Sequence, residues 1–231
     1  MKFDRVFEVA VPLLTEGLKV TLGVSLISIL IGLVIGFAVC LFGRSKSIIL
    51  RGIAAVYVWI IRGTPMIVQA FLVFFAFPQV IQLFAPGFKI TAFPAGIITL
   101  SLNAGAYMSE IFRGGIQAVS IGQTEAARSL GLSQGRTMMK IVLPQAFKIS
   151  LPSLVNQFII TVKDSSILSV IGLADIVNRA KVYVGKTYDF FPTYIMVAVY
   201  YLVLISVLMV FSKFLEKKIS YETKQRHRDR H

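Results

Sequence analysis

Four ionisable side chains, Arg62, Glu110, Lys163 and Asp164, fall within or at the edge of long apolar runs in this 231-residue sequence. In hydrocarbon each costs on the order of 2.5–3.5 kcal/mol at a helix centre, so such groups face a cavity or one another. Two are basic and two acidic, and mutual pairing or snorkelling to an interface is the plain structural reading. Arg62 is the weakest site candidate, because it lies near a basic loop and precedes a Gly63-Thr64-Pro65 break that by itself bends a helix. Polar neighbours recur at helical spacing. Asn103, Tyr107 and Glu110 stand at i, i+4 and i+7 and share a face; Asn156 shares one with Lys163, and Gln157 with Asp164.

The chemistry open to these groups is the holding of charge. The only histidines, His227 and His231, lie in the last five residues, and Cys40 is the one cysteine. A Ser/His triad, a His-ligated metal, an intramolecular disulfide and a cysteine zinc cluster are therefore not expected in the body of the chain. That argues against a membrane enzyme, and no metal site is expected.

The elements that must position these groups are membrane helices. The sequence is 56% hydrophobic and 15% charged with a mean hydropathy of +0.77, against about 25% charged in soluble domains. A soluble domain and a disordered chain are both excluded. Residues 20–42 and 190–212 are uncharged runs of 23, residues 63–88 one of 26, and residues 90–109 one of 20; about 20 apolar residues span a bilayer. The run 149–174 is interrupted by Lys163-Asp164. The expectation is one all-α integral membrane domain over 1–231 with about five spans, near 17–42, 52–82, 90–113, 147–171 and 190–215, a cytoplasmic loop near 120–146 and a basic tail at 216–231. Asp4, Glu8 and Glu16 and the length of the first run favour an uncleaved helix over a signal peptide. Gly32 and Gly36 form a GxxxG, which permits close helix approach but is weak evidence in a Gly-rich span.

Fifteen Lys and Arg residues fall in the loops on one side of this arrangement and seven on the other, which selects N-out, C-in. The net charge of +13 is thus a topology signal, and no nucleic-acid partner is expected. The tail YETKQRHRDRH, 221–231, reads as a solvated end that meets anionic lipid.

Between the third and fourth spans, residues 121–146 read IGQTEAARSLGLSQGRTMMKIVLPQA, a pair of short helices. Thr124 can cap the first, Gly131 can close it in a left-handed conformation, Ser133 can start the second and Pro144 must break or bend it. Here a resemblance becomes specific. Glu125-Ala126-Ala127, then Gly131, Ile141, Leu143 and Pro144 at their spacings resemble the EAA motif of permease subunits in ATP-binding-cassette importers. The segments IRGTPMIVQ (61–69), NAGAYMSEIFRGGIQAV (103–119) and KDSSILSVIG (163–172) resemble the polar amino acid branch of that family.

The resemblance implies a type I importer permease fold in a bacterial cytoplasmic (inner) membrane. It implies that a coupling helix near 123–131, with Glu125, Ala126, Ala127 and Gly131, docks on a separate ATPase. Partners would be two ATPase subunits that bind ATP and Mg, a second permease, identical or related, and an extracytoplasmic amino acid-binding protein. This chain would hold no cofactor and catalyse nothing. Residues 180–187, AKVYVGKT, match a relaxed phosphate-loop pattern, but lie in a short connection with no room for an α/β domain.

For a polar amino acid substrate, a zwitterion, Glu110 and Asp164 are expected to contact positive groups, Lys163 the carboxylate, and Asn103 and Gln157 to complete a polar wall. Two acids and one Lys would tilt selectivity toward arginine or lysine, with glutamine left open. The rival readings are an ATP-independent channel or secondary transporter, for which the 121–146 loop has no use, and a permease for another nutrient such as an organic anion or methionine.

Overall fold

The computed structural model describes residues 3–228, so the end of the basic tail, 229–231, lies outside the described residues. Among them every regular element is helical: α1 Phe3–Gly43, α2 Ile48–Gly63, α3 Met66–Phe71, α4 Phe77–Gln82, α5 Ala92–Gln117, α6 Ile121–Ser129, α7 Gln134–Thr137, α8 Leu143–Asp164, α9 Ile176–Thr187 and α10 Phe190–Arg228. Glu8–Gly43, Gln134–Ile171 and Phe190–Leu215 are each long and apolar enough to cross a membrane.

The region 52–82, expected as one span, is instead two limbs bent by 107°. The cause is local. A residue before proline is excluded from the right-handed helical region, and Thr64, before Pro65, is extended at φ −120° and ψ 144°. α3 restarts the helix, which widens into a π turn at Leu72–Ala76 before α4.

α5 has 26 residues, enough to span, although its sequence is less apolar than the other spans. It occupies the centre of the bundle, and its buried positions are mostly small or polar, among them Gly96, Thr99, Ser101, Asn103, Ala104, Gly105, Ala106 and Ser109. A helix covered by protein needs little lipid-facing apolar surface.

The loop expected at 120–146 differs in two ways. Ser120, not Thr124, stands at the N-cap of α6, and Thr124 is inside the helix. The second helix is not short: α7, a π turn at Met138–Val142, α8 and a 3-10 turn at Ser165–Ile171 run continuously from 134 to 171. Pro144 does not break it. A proline ring crowds the carbonyl four residues earlier, here Lys140, which sits within the π turn. Ser133 does cap α7, its Oγ accepting from the Arg136 N–H at 3.4 Å. Residues 180–187 are helical, within α9, and so form no phosphate-cradling turn.

One buried cluster joins α1, α5 and α8 through Ile29, Met108, Phe112, Val142, Ala146 and Leu154. A second gathers Val24, Ala70, Leu100 and Leu168. The GxxxG of α1 lies against α5: a Cβ on Gly36 would meet Met108 Cβ at 2.7 Å and the Gly105 carbonyl oxygen at 2.9 Å. Gly105 in turn admits Ile35 and Tyr57, whose hydroxyl donates to the Leu102 carbonyl at 2.6 Å. These contacts fix the α1–α5 distance.

α9 lies outside the spans and packs on the start of α1. Asp175 caps it, its carboxylate accepting from the Asn178 and Val177 N–H groups at 2.9 and 3.3 Å. The side chain is fully buried, and burial pushes its carboxyl up to about 6 against the lowering effect of those N–H groups. A carboxyl whose pKa is raised on folding holds a proton between about 4 and 6 that the unfolded chain releases, so stability falls as pH rises through that window.

Two predictions follow from this packing. Gly36→Ala lowers the melting temperature of the purified protein, equivalent to about 1–3 kcal/mol, whereas Gly23→Ala, which meets nothing within 4 Å, does not. Thermal unfolding of the parent shows a loss of stability between pH 4 and 6, on the order of 2 kcal/mol, that Asp175→Asn removes.

Candidate functional site

The break at Gly63-Thr64-Pro65 leaves helix-end carbonyls without N–H partners. Two side chains take them up, the Thr64 hydroxyl, which donates to the Ile60 carbonyl at 2.8 Å, and Gln69. The Gln69 amide donates to the Ile61 carbonyl at 2.7 Å, the Thr64 carbonyl at 3.0 Å and Thr64 Oγ1 at 3.0 Å. Its Oε1 accepts from Asn103 Nδ2 at 3.1 Å, which ties the break to the central helix. Gln69 and Asn103 are both buried. Asn103 therefore serves the bend and is not among the residues that line the cavity described next.

Beside the break a cavity of about 580 Å³ is lined by Arg62 from α2, Tyr107, Glu110 and Ile111 from α5, Pro152, Ser153, Asn156 and Gln157 from α8, and Ser212 from α10. Arg62 Nη1 lies 3.4 Å from Glu110 Oε2, and its guanidinium stands 5.3 Å from the Tyr107 ring centre, a cation–π arrangement. Glu110 is also gripped from its other side by Arg113, through Nη2 at 2.5 Å and Nε at 3.1 Å. Arg113 is the firm partner and Arg62 the loose one. The arrangement can offer a guanidinium to an anionic group and a carboxylate oxygen to a cationic one, with the hydroxyls and amides of Ser153, Asn156 and Gln157 beside them.

Of the residues expected to form the site, Glu110 and Gln157 meet here. Lys163 and Asp164 do not: they close α8 about 10 Å along the axis from Gln157 and line no part of this cavity. Gln157 and Asp164 stand at i and i+7 on one helix, and one face of a long helix passes more than one environment. Arg62, discounted because it precedes the break, is brought in by the break itself. The readable signal was its opposite charge to Glu110 across two adjoining spans.

On α6, Glu125 and Ala126 are exposed and Ala127 is buried against the body. Ile121 and Leu130 at the two ends are also exposed. Gly131 has φ +82°, and the N–H groups of Gly131 and Leu132 bond the Arg128 and Ala127 carbonyls at 3.0 and 3.1 Å, which is the Schellman closure. The result is a short rigid helix standing off the bundle with a solvent-facing surface that includes large apolar side chains. Gly131→Val forces a β-branched residue into the left-handed region. The closure then frays at a cost of about 1–2 kcal/mol, read as faster amide hydrogen exchange at 130–132 with the exchange of α5 unchanged.

The chain is similar to known proteins over most of its length. Residues 28–221 match the family described as "Binding-protein-dependent transport system inner membrane component". The chain is 39% identical over 209 residues to the arginine transport system permease protein ArtQ of Bacillus subtilis (strain 168), covering 90% of this chain and 93% of that one. It is 35% identical over 210 residues to the glutamine transport system permease protein GlnP of Escherichia coli (strain K12), covering 91% and 94%. A solved structure described as an amino acid ABC transporter with histidines superposes with a TM-score of 0.88 at 37% identity, covering 94% of this chain and 99% of that one. The MetNI methionine transporter, in an inward-facing conformation, superposes at 0.72 with 21% identity, a likeness of fold.

Proposed function

The chain belongs to the binding-protein-dependent transport system inner membrane components, the permease subunits of ATP-binding-cassette importers, and from that premise we propose that it moves a polar amino acid through the Arg62–Glu110 cavity. The observation that carries this reading is the pairing of one loosely held guanidinium with one carboxylate in a span-level cavity. A zwitterion is complementary to that pair: its carboxylate takes Arg62, its ammonium takes Glu110, and the Arg62–Glu110 contact opens as it enters.

This assignment gives Arg62 the role that the sequence suggested for Lys163. It also removes the expected tilt toward cationic substrates, since one acid and one base line the cavity and the firm partner of that acid is a second arginine. The similar proteins carry both arginine and glutamine in their names, and both belong in the assay.

The reading includes the assembly. Two ATPase subunits bind ATP and Mg and receive the α6 helices through Glu125, Ala126, Ala127 and Gly131. A second permease, identical or related, closes the path, and an extracytoplasmic binding protein delivers substrate. This chain contributes no catalytic residue and transmits force from ATPase closure to α5 and α8, the helices on either side of α6. The exposed α6 surface distinguishes it from an ATP-independent channel, which has no need of such an element.

Uptake by the reconstituted complex tests the site. Glu110→Gln and Arg62→Gln each raise the half-saturating concentration about tenfold or more, the loss of one charge-assisted hydrogen bond. Asp164→Asn, at the far end of α8, changes it by less than about twofold. Unchanged uptake in both Glu110→Gln and Arg62→Gln would remove the cavity from the path.

A further inference from the structure

A second cavity, of about 420 Å³, opens between α1, α2 and α5 at the end of the bundle that the basic loops place in the cytoplasm. Three arginines surround it. Arg44 follows the end of α1, Arg51 lies in the first turn of α2, and Arg113 lies one turn before the end of α5. All three thus sit at one level, near the helix ends.

Among the described residues the carboxylates within ion-pair reach of an arginine reduce to Glu110, which holds Arg113 and Arg62. Arg44 and Arg51 have none. The positive end of α2, capped by Ser47 Oγ accepting from the Leu50 N–H at 3.5 Å, adds to the same field. Above this basic rim the wall is apolar: Val39 on α1, and Ala54, Ala55, Val58 and Trp59 on α2. Trp59 is 75% exposed and stands about 12 Å along the axis from Arg51. A basic mouth at headgroup depth with an apolar slot running toward the bilayer centre has the shape and charge of a lipid whose head is a phosphate and whose tail is a hydrocarbon chain.

We propose that this cavity binds an anionic phospholipid, its phosphate between Arg44, Arg51 and Arg113 and one acyl chain along the slot that ends at Trp59. A soluble phosphate would use the arginines but not the slot. A zwitterionic lipid would use the slot but bring a cationic group to a rim already rich in positive charge. Neither accounts for both halves of the cavity. The two cavities share Glu110, which lines both and holds Arg113, but Arg44 and Arg51 line only this one, so each reading can fail without the other.

The test uses the intact importer complex in detergent, titrated with phosphatidylglycerol or phosphatidylcholine and followed by native mass spectrometry. The parent complex retains phosphatidylglycerol over phosphatidylcholine by about tenfold or more, the effect of two arginines near a lipid surface. Arg44→Gln with Arg51→Gln abolishes that preference, and Arg44→Lys with Arg51→Lys keeps most of it. Equal retention of the two lipids by the parent overturns the proposal, as does an unchanged preference in the double Gln variant. Displacement of phosphatidylglycerol by inorganic phosphate at equal concentration assigns the arginines to a free anion and overturns the lipid. Should the Gln variant fail to assemble, the parent comparison and the phosphate competition still decide.

Discussion

A helix broken inside a bilayer must satisfy its own free carbonyls, because no water is there to do it. At Gly63-Thr64-Pro65 the Thr64 hydroxyl takes the Ile60 carbonyl, and the rest of that duty falls on the amide of Gln69, which bonds Ile61, Thr64 and, through its oxygen, Asn103. Without Gln69 the bend would leave buried acceptors unpaired, each costing about 1–3 kcal/mol. With it, two limbs at 107° are tied to the central helix at the bend itself. The position of Arg62, the last turn of α2, is set by that bend, and so is its approach to Glu110.

Glu110 is where the constraints converge. It lines both the cavity proposed for the amino acid and the basic cavity, holding Arg113 on one side and Arg62 on the other. Its neutralisation by two guanidiniums makes a carboxylate tolerable at span depth. Because Arg113 grips through two bonds and Arg62 through one longer contact, the pair can exchange Arg62 for a substrate cation without leaving Glu110 bare. The close α1–α5 packing at Gly36 and Gly105 keeps α5, and therefore Glu110, from shifting to make room. A substrate bound as proposed would open the pair instead of spreading the helices.

Much of this was legible in the sequence. The apolar runs announce the spans, and Glu125-Ala126-Ala127 with Gly131 announces the protruding helix, whose left-handed glycine the structure shows. What was not legible depends on tertiary contact. Gln69 reads as one polar residue in an apolar limb until the bend places it against Ile61 and Thr64. That Asp164 and Lys163 lie away from the Arg62–Glu110 cavity was not legible, because composition gives charge but not depth along a 38-residue helix. Thr124 reads as a cap because capping residues are common, and Ser120, four positions earlier, holds the N-cap position without a side-chain capping bond. Gly36 reads as weak evidence because GxxxG occurs by chance in any Gly-rich span, and only the 2.7 Å approach to Met108 distinguishes it.

The Arg62–Glu110 pair, as proposed, is the zwitterion's receptor and opens to admit it. A structure of the assembled complex with its amino acid bound tests that most directly. The account predicts ligand density between α5 and α8 beside Tyr107, a carboxylate within hydrogen-bond distance of Arg62, an ammonium within that distance of Glu110, and the 3.4 Å contact between the two side chains broken. Ligand density elsewhere in the permease, with Arg62 and Glu110 still paired, would contradict it.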